Sequence, residues 1–499
     1  MLRSRLFVSE SPTRMRFPTS FALYSLLAGT GAGLPFRGSR SSNEEEVGME
    51  GSAVHIKRRG SSTKRSAVVE SFYADTDGYS QELRDTVREQ AANLTDFLVD
   101  TRRTLHRTPE LMYQEEFTSK TIQSVLTKLG VPFSTGWAKN IHKNHFEGAK
   151  GGHGIIADIG TGQEPCVLLR ADMDALPILE RTEIDFPSEQ DNKMHACGHD
   201  AHTTMLLGAA SILKQYEDSI PGTIRLMFQP AEEGGAGGKR MREEGALSLE
   251  PSPQYAFGLH VWPTLPSHTI AARPGPLMAA AERFEILVSG VGGHAAMPHL
   301  GIDPIVAGSA IVMNLQTIVS RTTSPMDAAV CSVTQFDAGS GAFNVIPNAA
   351  TLKGTIRSLS TEGLLDLRKR VQHIVEQTAS THGANVTVTY SPDFYPVTVN
   401  DEYLYQDFSK DVGKLVGDDF VEAEPTMGAE DFSFVAETIP STFFFLGQGS
   451  GTQPPTNFGL HHPKFCLDES IMPTGVELHV NLALRSLARL NNETQTRTS

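Results

Sequence analysis

The sequence predicts an α/β protein in which a helix-flanked mixed sheet is interrupted by a smaller, inserted α+β unit. Short apolar runs of strand length alternate with segments whose apolar residues recur at three- and four-residue steps, as in amphipathic helices. Between residues 279 and 392 this order changes to β-α-β-β-α-β, which is typical of a compact ferredoxin-like sandwich. The chain of 499 residues is long enough for more than one core.

These changes of pattern predict the domain organisation. A disordered extension, 1–80, precedes the first part of the larger domain, 81–278. The inserted satellite domain, 279–392, separates it from the second part, 393–492, and a disordered tail, 493–499, ends the chain.

The first part of the larger domain begins with helical periodicity. Helices are predicted at 80–107 and 118–129, and they are ended by Pro109 and Gly130, both common after helices. Strands alternating with helices favour a largely parallel sheet, in which ligands usually gather at strand ends. The next predicted elements are strands 153–159 and 166–170, helix 201–216, strand 223–228, helix 239–244 and strand 255–261.

The inserted unit and the second part of the larger domain follow the same kind of pattern. The predicted inserted elements are strand 282–290, helix 304–319, strands 328–336 and 351–357, helix 362–381 and strand 385–390. Later elements are helices 402–416, 431–437 and 469–490 and strand 442–446.

The N-terminal forty residues have an unusual composition. They contain six arginines, many serines and a short apolar run at 21–27, but a single acidic residue, Glu10. This composition predicts targeting to a plastid or mitochondrion or entry into the secretory pathway; the alternative is an untargeted extension of a cytoplasmic protein. The apolar run is too short to cross a bilayer, so stable membrane insertion is not expected.

Charge and cysteine usage exclude two classes of protein. The net charge is -15 and there is no basic stripe that could neutralise phosphates, so a nucleic-acid partner is not expected. The four cysteines are widely spaced, which argues against a disulfide framework.

Residues 194–202, with the sequence MHACGHDAH, contain three imidazoles, a thiol and a carboxylate directly before an apolar segment. Cys197 and His199 are two positions apart, so an extended loop can turn both toward one point. A thiolate and an imidazole suit zinc, manganese or cobalt. A helix beginning near Asp200 would help to keep Cys197 ionised. The alternative is a polar loop that caps a helix.

Two adjacent carboxylates, Glu232 and Glu233, follow a predicted strand. Adjacent side chains point in different directions, so one can bind a metal ion while the other faces a water molecule. That division suits metal-assisted hydrolysis with a carboxylate as general base. A solvated acidic turn is the alternative. His260 and His461 are weak ligand candidates when taken singly.

Other polar residues near strand ends are candidates for supporting or substrate-binding roles. Asp172 and Asp174 follow a strand and could orient ligands. His294, on a glycine-rich turn, is a candidate oxyanion donor, although an ordinary turn histidine is equally compatible with the pattern. Asn344 and Arg357 could hold a substrate carboxylate, the arginine through its planar fork.

Taken together, these segments occur in a recognisable order. From about residue 83 to residue 490 the chain resembles the aminoacylase and carboxypeptidase family of dinuclear metallohydrolases. It is most similar to the amidohydrolase branch that includes hippurate hydrolases, N-acyl-amino-acid hydrolases and plant auxin-conjugate hydrolases. The matching segments are RRTLHRTPEL, RADMDALPI, MHACGHDAH, FQPAEEGG, GLHVWP, GGHAAMPH, NVIPNAATLKGTIRS, GAEDFSF and LHHPKF.

The resemblance implies two divalent metal ions per subunit, Mn²⁺ or Zn²⁺, with Co²⁺ and Ni²⁺ as alternatives. It implies Glu232 as general base, His294 as an oxyanion residue, and Asn344 and Arg357 as substrate-binding residues. The implied metal ligands are Cys197, His199, Glu233, His260 and His461. The supporting residues are Asp172, Asp174, Asp200 and Glu430.

The implied reaction is hydrolysis of the linear amide of an N-acetyl-, benzoyl- or indole-acetyl-amino acid. The alternatives are a carboxypeptidase or dipeptidase and a non-catalytic, metal-stabilised binding protein; the intact Glu232 and Glu233 pair argues against the latter. The resemblance also implies a homodimer through the satellite domain, and in some relatives the histidine at the position of His294 comes from the partner subunit. The wider family usually has a histidine ligand where this chain has Asp172, so the second metal ion is expected to be more weakly or differently held.

Overall fold

A computed structural model describes residues 81–142, 148–339, 341–450 and 455–498. The predicted N-terminal extension and its targeting segment lie outside these residues. Among the described helices, none combines the length and the apolar character needed to cross a bilayer.

The described strands belong mainly to two sheets of different size. The larger sheet has eight strands in the order β1-β2-β4-β3-β5-β16-β6-β15, and the smaller has four in the order β10-β12-β8-β13. The strands are β1 (Phe133–Lys139), β2 (Gly151–Gly160), β3 (Cys166–Asp172), β4 (Thr223–Gln229), β5 (Pro253–Pro266), β6 (Ile270–Ala272), β7 (Gly275–Met278), β8 (Ala280–Ser289), β9 (Gly293–His294), β10 (Ala329–Ala338), β11 (Val345–Ile346), β12 (Ala349–Ser358), β13 (Asn385–Tyr390), β14 (Thr398–Asn400), β15 (Phe420–Glu422) and β16 (Ser441–Gly449).

The eight-stranded sheet is mixed, as predicted. Its centre is parallel, because β4, β3, β5 and β16 run in the same direction, whereas β1 and β2 add antiparallel strands at one edge. We call this sheet with its helices the eight-stranded unit. The described helices of the chain are α1 (Gln81–Ala92), α2 (Thr95–Arg107), α3 (Glu116–Leu129), α4 (His199–Gln215), α5 (Gly237–Glu243), α6 (Pro304–Thr317), α7 (Thr361–Thr381), α8 (Glu402–Val416), α9 (Ser433–Ala436) and α10 (Met472–Thr498).

Helix α4 is central to the eight-stranded unit. Its residues 199–213 are all buried, because it packs against the sheet on one side and against α2 and α10 on the other. A helix without a polar face is expected in such a position. The metal-type residues at its beginning are therefore held by a helix that is buried over its first fifteen residues.

The smaller sheet forms the inserted four-stranded unit. All its strand pairs are antiparallel, and helices α6 and α7 cover one face, which gives the predicted β-α-β-β-α-β, ferredoxin-like order. Strand β8 shows the alternation of a half-buried strand: Phe284 and Ile286 are buried, whereas Arg283 and Glu285 are exposed. The proposed domain boundaries at 279 and 392 stay predictions.

Several elements differ from the sequence prediction, and seven described strands were not predicted: β1, β6, β7, β9, β11, β14 and β15. The helix predicted at 80–107 is two helices, because the chain turns between Ala92 and Thr95. Strand β1 was not predicted, since its sequence FSTGWAK lacks a regular apolar alternation. Helix α10 continues to Thr498, where a disordered tail from 493 is predicted; this polar segment contains no glycine or proline that would end a helix.

Candidate metal centre and substrate cavity

The candidate metal ligands meet at the carboxyl ends of the central parallel strands. Glu232 and Glu233 follow β4, His260 lies on β5, and Cys197 and His199 precede or begin α4. Because parallel strands end at the same edge of a sheet, residues distant in sequence converge there.

The five predicted ligands lie close enough to share metal ions. The Sγ of Cys197 is 3.3 Å from Nε2 of His260, and Nε2 of His461 is 3.2 Å from Oε1 of Glu233. The same Glu233 oxygen lies 4.0 Å from Nε2 of His199. Ligand atoms within 4.8 Å of one another form three overlapping groups here: Cys197 with His199 and His260, Cys197 with Glu233 and His461, and His199 with Glu232 and Glu233.

The donor atoms that face this space fit a bound cation. Nε2 of His199 and Oε1 of Glu233 are buried and make no well-aligned hydrogen bond among the described residues, although Nε2 of His461 lies 3.2 Å from Oε1 of Glu233. This is unusual for buried polar atoms. Nδ1 of His199 lies 3.3 Å from Oδ1 of Asp174, and Nδ1 of His260 donates to the carbonyl of Val261 at 2.7 Å. Each of these rings therefore directs its other nitrogen into the candidate site, as metal-binding histidines do.

The protein surroundings of Cys197 disfavour its thiolate form. Burial, together with the carboxylates of Glu233 and Glu232, raises the pKa of the Cys197 thiol well above its usual value. Helix α4 begins at His199, one residue before the expected start near Asp200, so its positive end lies close to Cys197. Burial and the two carboxylates nevertheless dominate the pKa of the thiol, and a contribution of the helix to ionising Cys197 stays a prediction. A divalent ion deprotonates a coordinating thiol outright.

Asp172 orients its neighbours. Its Oδ1 accepts from Nδ1 of His202 at 2.6 Å, and its Oδ2 accepts from Nη1 of Arg170 at 2.7 Å. Nε2 of His202 in turn accepts from the amide of Val261 at 3.0 Å, so both nitrogens of that ring are used. Asp172, His199 and His202 form another group whose ligand atoms lie close together. Asp172 and His202, however, already use these atoms in hydrogen bonds within the protein.

Asp174 organises the turn that carries the two glutamates. Its Oδ1 accepts from the amide of Glu232 at 2.9 Å, and its Oδ2 accepts from the amide of Glu233 at 3.0 Å. Glu115 accepts from the preceding amide, that of Ala231, at 2.9 Å. These contacts fix the direction in which each glutamate side chain leaves the backbone.

Glu232 is buried among other carboxylates. Burial and the neighbouring Glu430 and Glu233 raise the pKa of Glu232 well above its usual range. Burial also raises the pKa of Glu430 to about 8, against the opposing charge of Arg170, which contacts Glu430 at 2.9 Å. The amide of Asp431 approaches Oε1 of Glu232 at 3.3 Å. A carboxylate whose pKa is raised is a stronger proton acceptor than an ordinary carboxylate.

Asp200 lies in the first turn of α4, three residues after Cys197. Its Oδ2 accepts from Nε of Arg102 at 2.8 Å and lies 2.9 Å from Nδ1 of His106, and all three side chains are buried. Arg102 and His106 were not singled out from the sequence, although they are four positions apart on one helix and therefore share a face. Arg170 was also missed.

A cavity of about 420 Å³ opens from the candidate ligands toward the four-stranded unit. Arg357 lines this cavity, and its Nη1 donates to the carbonyl of Met427 at 2.9 Å. Part of the wall is apolar. The lining residues include Cys197, Glu232, Glu233, His260, Trp262, Met278, Arg283, Arg357, Tyr395, Glu430, Leu460 and His461.

His294 and Asn344 do not line the cavity. Both are exposed on the four-stranded unit, where His294 pairs with Val345 and the amide of Ala295 donates to the carbonyl of Asn344 at 3.0 Å. The structure therefore brings these two predicted residues beside each other, but it places them outside the cavity that contains the candidate ligands.

Known proteins are similar to this chain in sequence and in fold. The profile of peptidase family M20/M25/M40 matches residues 168–485. An Arabidopsis thaliana protein, IAA-amino acid hydrolase ILR1-like 4, is 42% identical over 403 residues, which cover 80% of this chain and 88% of that protein. The N-acetylcysteine deacetylase of Bacillus subtilis is 36% identical over 388 residues, covering 78% and 96%. The crystal structure of the Bacillus subtilis YXEP protein, described as a dinuclear metal binding peptidase, is 34% identical with a TM-score of 0.64, covering 79% and 99%.

Proposed function

Because the chain belongs to peptidase family M20/M25/M40, we propose that it is a metal-dependent hydrolase of the linear amide bond of N-acyl-amino acids. The observation that carries this proposal is the pair Glu232 and Glu233. Asp174 holds both at one turn, where Glu233 faces the other ligand-type residues and Glu232 lines the same cavity as Arg357. The two relatives named as hydrolase and deacetylase of amino-acid conjugates support the substrate class.

Two divalent ions would be held by Cys197, His199, Glu233, His260 and His461, with Mn²⁺ or Zn²⁺ proposed and Co²⁺ or Ni²⁺ as alternatives. Bound there, such ions would polarise the scissile carbonyl and lower the pKa of a water molecule. The other supporting residues, Asp172, Asp174, Asp200 and Glu430, would keep these ligands and Glu232 in place.

Glu232 is the proposed general base. Its carboxylate accepts a proton from the attacking water and later donates it to the departing amine, so the carboxylate is regenerated in each cycle. Its raised pKa, caused by burial and by Glu430, suits a group that must both accept and release a proton. Glu232 lines the cavity and is therefore within reach of a bound amide.

Arg357 is the proposed binding residue for the substrate α-carboxylate. Its planar guanidinium can donate two parallel hydrogen bonds to a carboxylate. The apolar wall formed by Trp262, Met278 and Leu460 would then contact the acyl group. Neither contact selects among acetyl, benzoyl and indole-acetyl groups by itself.

We further propose that His294 and Asn344 reach a cavity of a second copy of the chain, since both are exposed away from their own. The four-stranded unit also exposes large apolar side chains that are suited to a homodimer contact. These include Val306, Met313, Phe336 and Phe343.

The proposed substrate class is tested by a screen of metal-restored and chelated enzyme. N-acetyl-, benzoyl- and indole-acetyl-amino acids are each compared with dipeptides, and the release of free amino acid is measured. We expect release from one or more N-acyl-amino acids only after metal is restored. Faster cleavage of dipeptides would favour the carboxypeptidase or dipeptidase alternative, and no cleavage of any substrate at full metal content would favour a binding protein.

We also propose that residues 1–80 direct the chain to a plastid, a mitochondrion or the secretory pathway. Their arginine-rich and acid-poor beginning supports this proposal. Fusion of these residues to a fluorescent protein tests it, since a diffuse cytoplasmic signal would contradict targeting.

A further inference from the structure

We propose that Tyr395 is a positioning residue that fixes the backbone of Glu232 and couples it to the substrate-binding face of the four-stranded unit. The inference rests on the proposed roles of Glu232 and Arg357. Tyr395 lies in the segment by which the chain returns from the four-stranded unit to the eight-stranded unit, five residues after the end of β13 at Tyr390.

The Tyr395 hydroxyl makes three hydrogen bonds to one turn. It donates to the carbonyl of Glu232 at 2.5 Å, and it accepts from the amides of Gly234 at 3.0 Å and Ala236 at 2.9 Å. A phenol hydroxyl has one proton and two lone pairs, so these contacts use its whole hydrogen-bonding capacity. The ring packs edge-on against Phe434 with centroids 5.9 Å apart, which fixes the direction of the hydroxyl.

The same residue is joined to the proposed substrate-binding strand. The Tyr395 amide donates to the carbonyl of Ala281, and the Ala281 amide donates to the carbonyl of Tyr395, both at 2.9 Å. Ala281 in turn faces Arg357 in the register of β8 and β12. A continuous path therefore leads from the proposed carboxylate-binding arginine through two backbone pairs to the turn that carries the proposed base.

A second contact from β8 reaches this turn. Nη2 of Arg283 donates to the carbonyl of Gly234 at 3.0 Å. Unlike the Asp174 contacts, which come from the eight-stranded unit, the Tyr395 and Arg283 contacts depend on where the four-stranded unit lies. The position of Glu232 is consequently set by both units.

This coupling predicts a specific kinetic effect. Loss of the hydroxyl removes one of the restraints on the backbone of Glu232, while the Asp174 contacts, Arg357 and the proposed metal ligands stay in place. The turnover number should therefore fall by about ten- to a hundredfold, as small misplacements of catalytic groups do, while KM and metal content change little.

The test compares Tyr395→Phe with Tyr390→Phe in the metal-restored enzyme, using the best N-acyl-amino acid from the substrate screen. Tyr390 is a matched control, because its hydroxyl donates to the carbonyl of Arg368 at 3.0 Å within the four-stranded unit. We expect the kcat loss in Tyr395→Phe alone. Equal kcat values in the two variants, or a loss confined to KM, would overturn the inference while leaving the proposed function intact.

A double-mutant cycle with Glu232→Asp tests whether Tyr395 acts through Glu232. We expect the two losses to be clearly less than multiplicative, because both disturb the same carboxylate. Fully multiplicative losses would overturn the coupling. If the wild-type enzyme hydrolyses no N-acyl-amino acid, the proposed function fails first, and this inference fails with it.

Hydrogen exchange of the wild-type protein supplies a test that does not depend on a folded variant. The Ala236 amide donates to the Tyr395 hydroxyl, so it should exchange slowly although it precedes helix α5 and makes no hydrogen bond within that helix. Rapid exchange at Ala236 would overturn the inference.

Discussion

The two units hold their candidate site residues in different ways. At the sheet edge of the eight-stranded unit, Asp174 fixes the turn of both glutamates, and Asp172 is held between His202 and Arg170. On the four-stranded unit, His294 and Asn344 are exposed. The comparison teaches that one chain already brings the candidate metal ligands and the proposed base together. The proposed oxyanion residue His294 and the proposed substrate-binding residue Asn344, in contrast, need a second copy or a movement to reach a cavity.

The largest loss of activity should follow from removal of a candidate metal ligand at the sheet edge of the eight-stranded unit. Cys197→Ser is expected to lose metal and activity, with an affinity loss exceeding the roughly 10- to 100-fold cost of losing a supporting residue. Elemental analysis of the dialysed protein measures it. Cys331→Ser is the matched control, because this buried cysteine lies in the four-stranded unit. Full metal stoichiometry in Cys197→Ser would remove it from the ligand set.

His294→Ala tests the proposed role of the exposed residues on the four-stranded unit. Turnover should fall by about a hundredfold or more, as loss of an oxyanion donor does, with metal content unchanged. Mixing this variant with Glu232→Gln should restore activity if a second copy supplies His294, because a hybrid then contains one complete site. The exposed His299 provides the control His299→Ala. Failure of the mixture to regain activity would contradict the proposed exchange between copies.

Arg357→Met should affect binding more than turnover. Loss of a charge-assisted contact worth about 1.5–3 kcal/mol predicts a KM increase of roughly ten- to a hundredfold. Steady-state kinetics measures it, with Lys353→Met as the control from the same strand, since Lys353 does not line the cavity. An unchanged KM would show that the carboxylate binds elsewhere.

The smallest effect concerns stability within the four-stranded unit. Burial, opposed by Arg368, raises the pKa of Glu282 to about 7 from an ordinary value of 4.5. Between these values the folded state retains a proton that the unfolded chain has lost, so stability should fall as pH rises through this window. Denaturation of Glu282→Gln should lack this part of the decline, whereas the exposed control Glu285→Gln should keep it. Equal pH profiles in both variants would contradict the assignment.

The sequence predicted residues that belong to short motifs better than residues whose roles depend on contacts between distant parts of the chain. Cys197 and Glu233 could be recognised from a few adjacent residues, because Cys197 lies in a cluster of ligand-type side chains and Glu233 follows a predicted strand. Arg102 and Tyr395 could not, because their roles depend on contacts with Asp200 and Glu232 that are 98 and 163 positions away in the chain. The exposure of His294 likewise depends on how the two units pack, which no local pattern encodes.

The central claim is that Glu232 is the general base, whereas other residues bind the metal ions. Measuring metal content and turnover together tests this claim most directly. Metal content and turnover are determined in the same preparation of Glu232→Gln. We predict metal content equal to wild type and turnover reduced by at least about a hundredfold, the lower range for loss of a general base. Turnover close to wild type at full metal content would contradict the account.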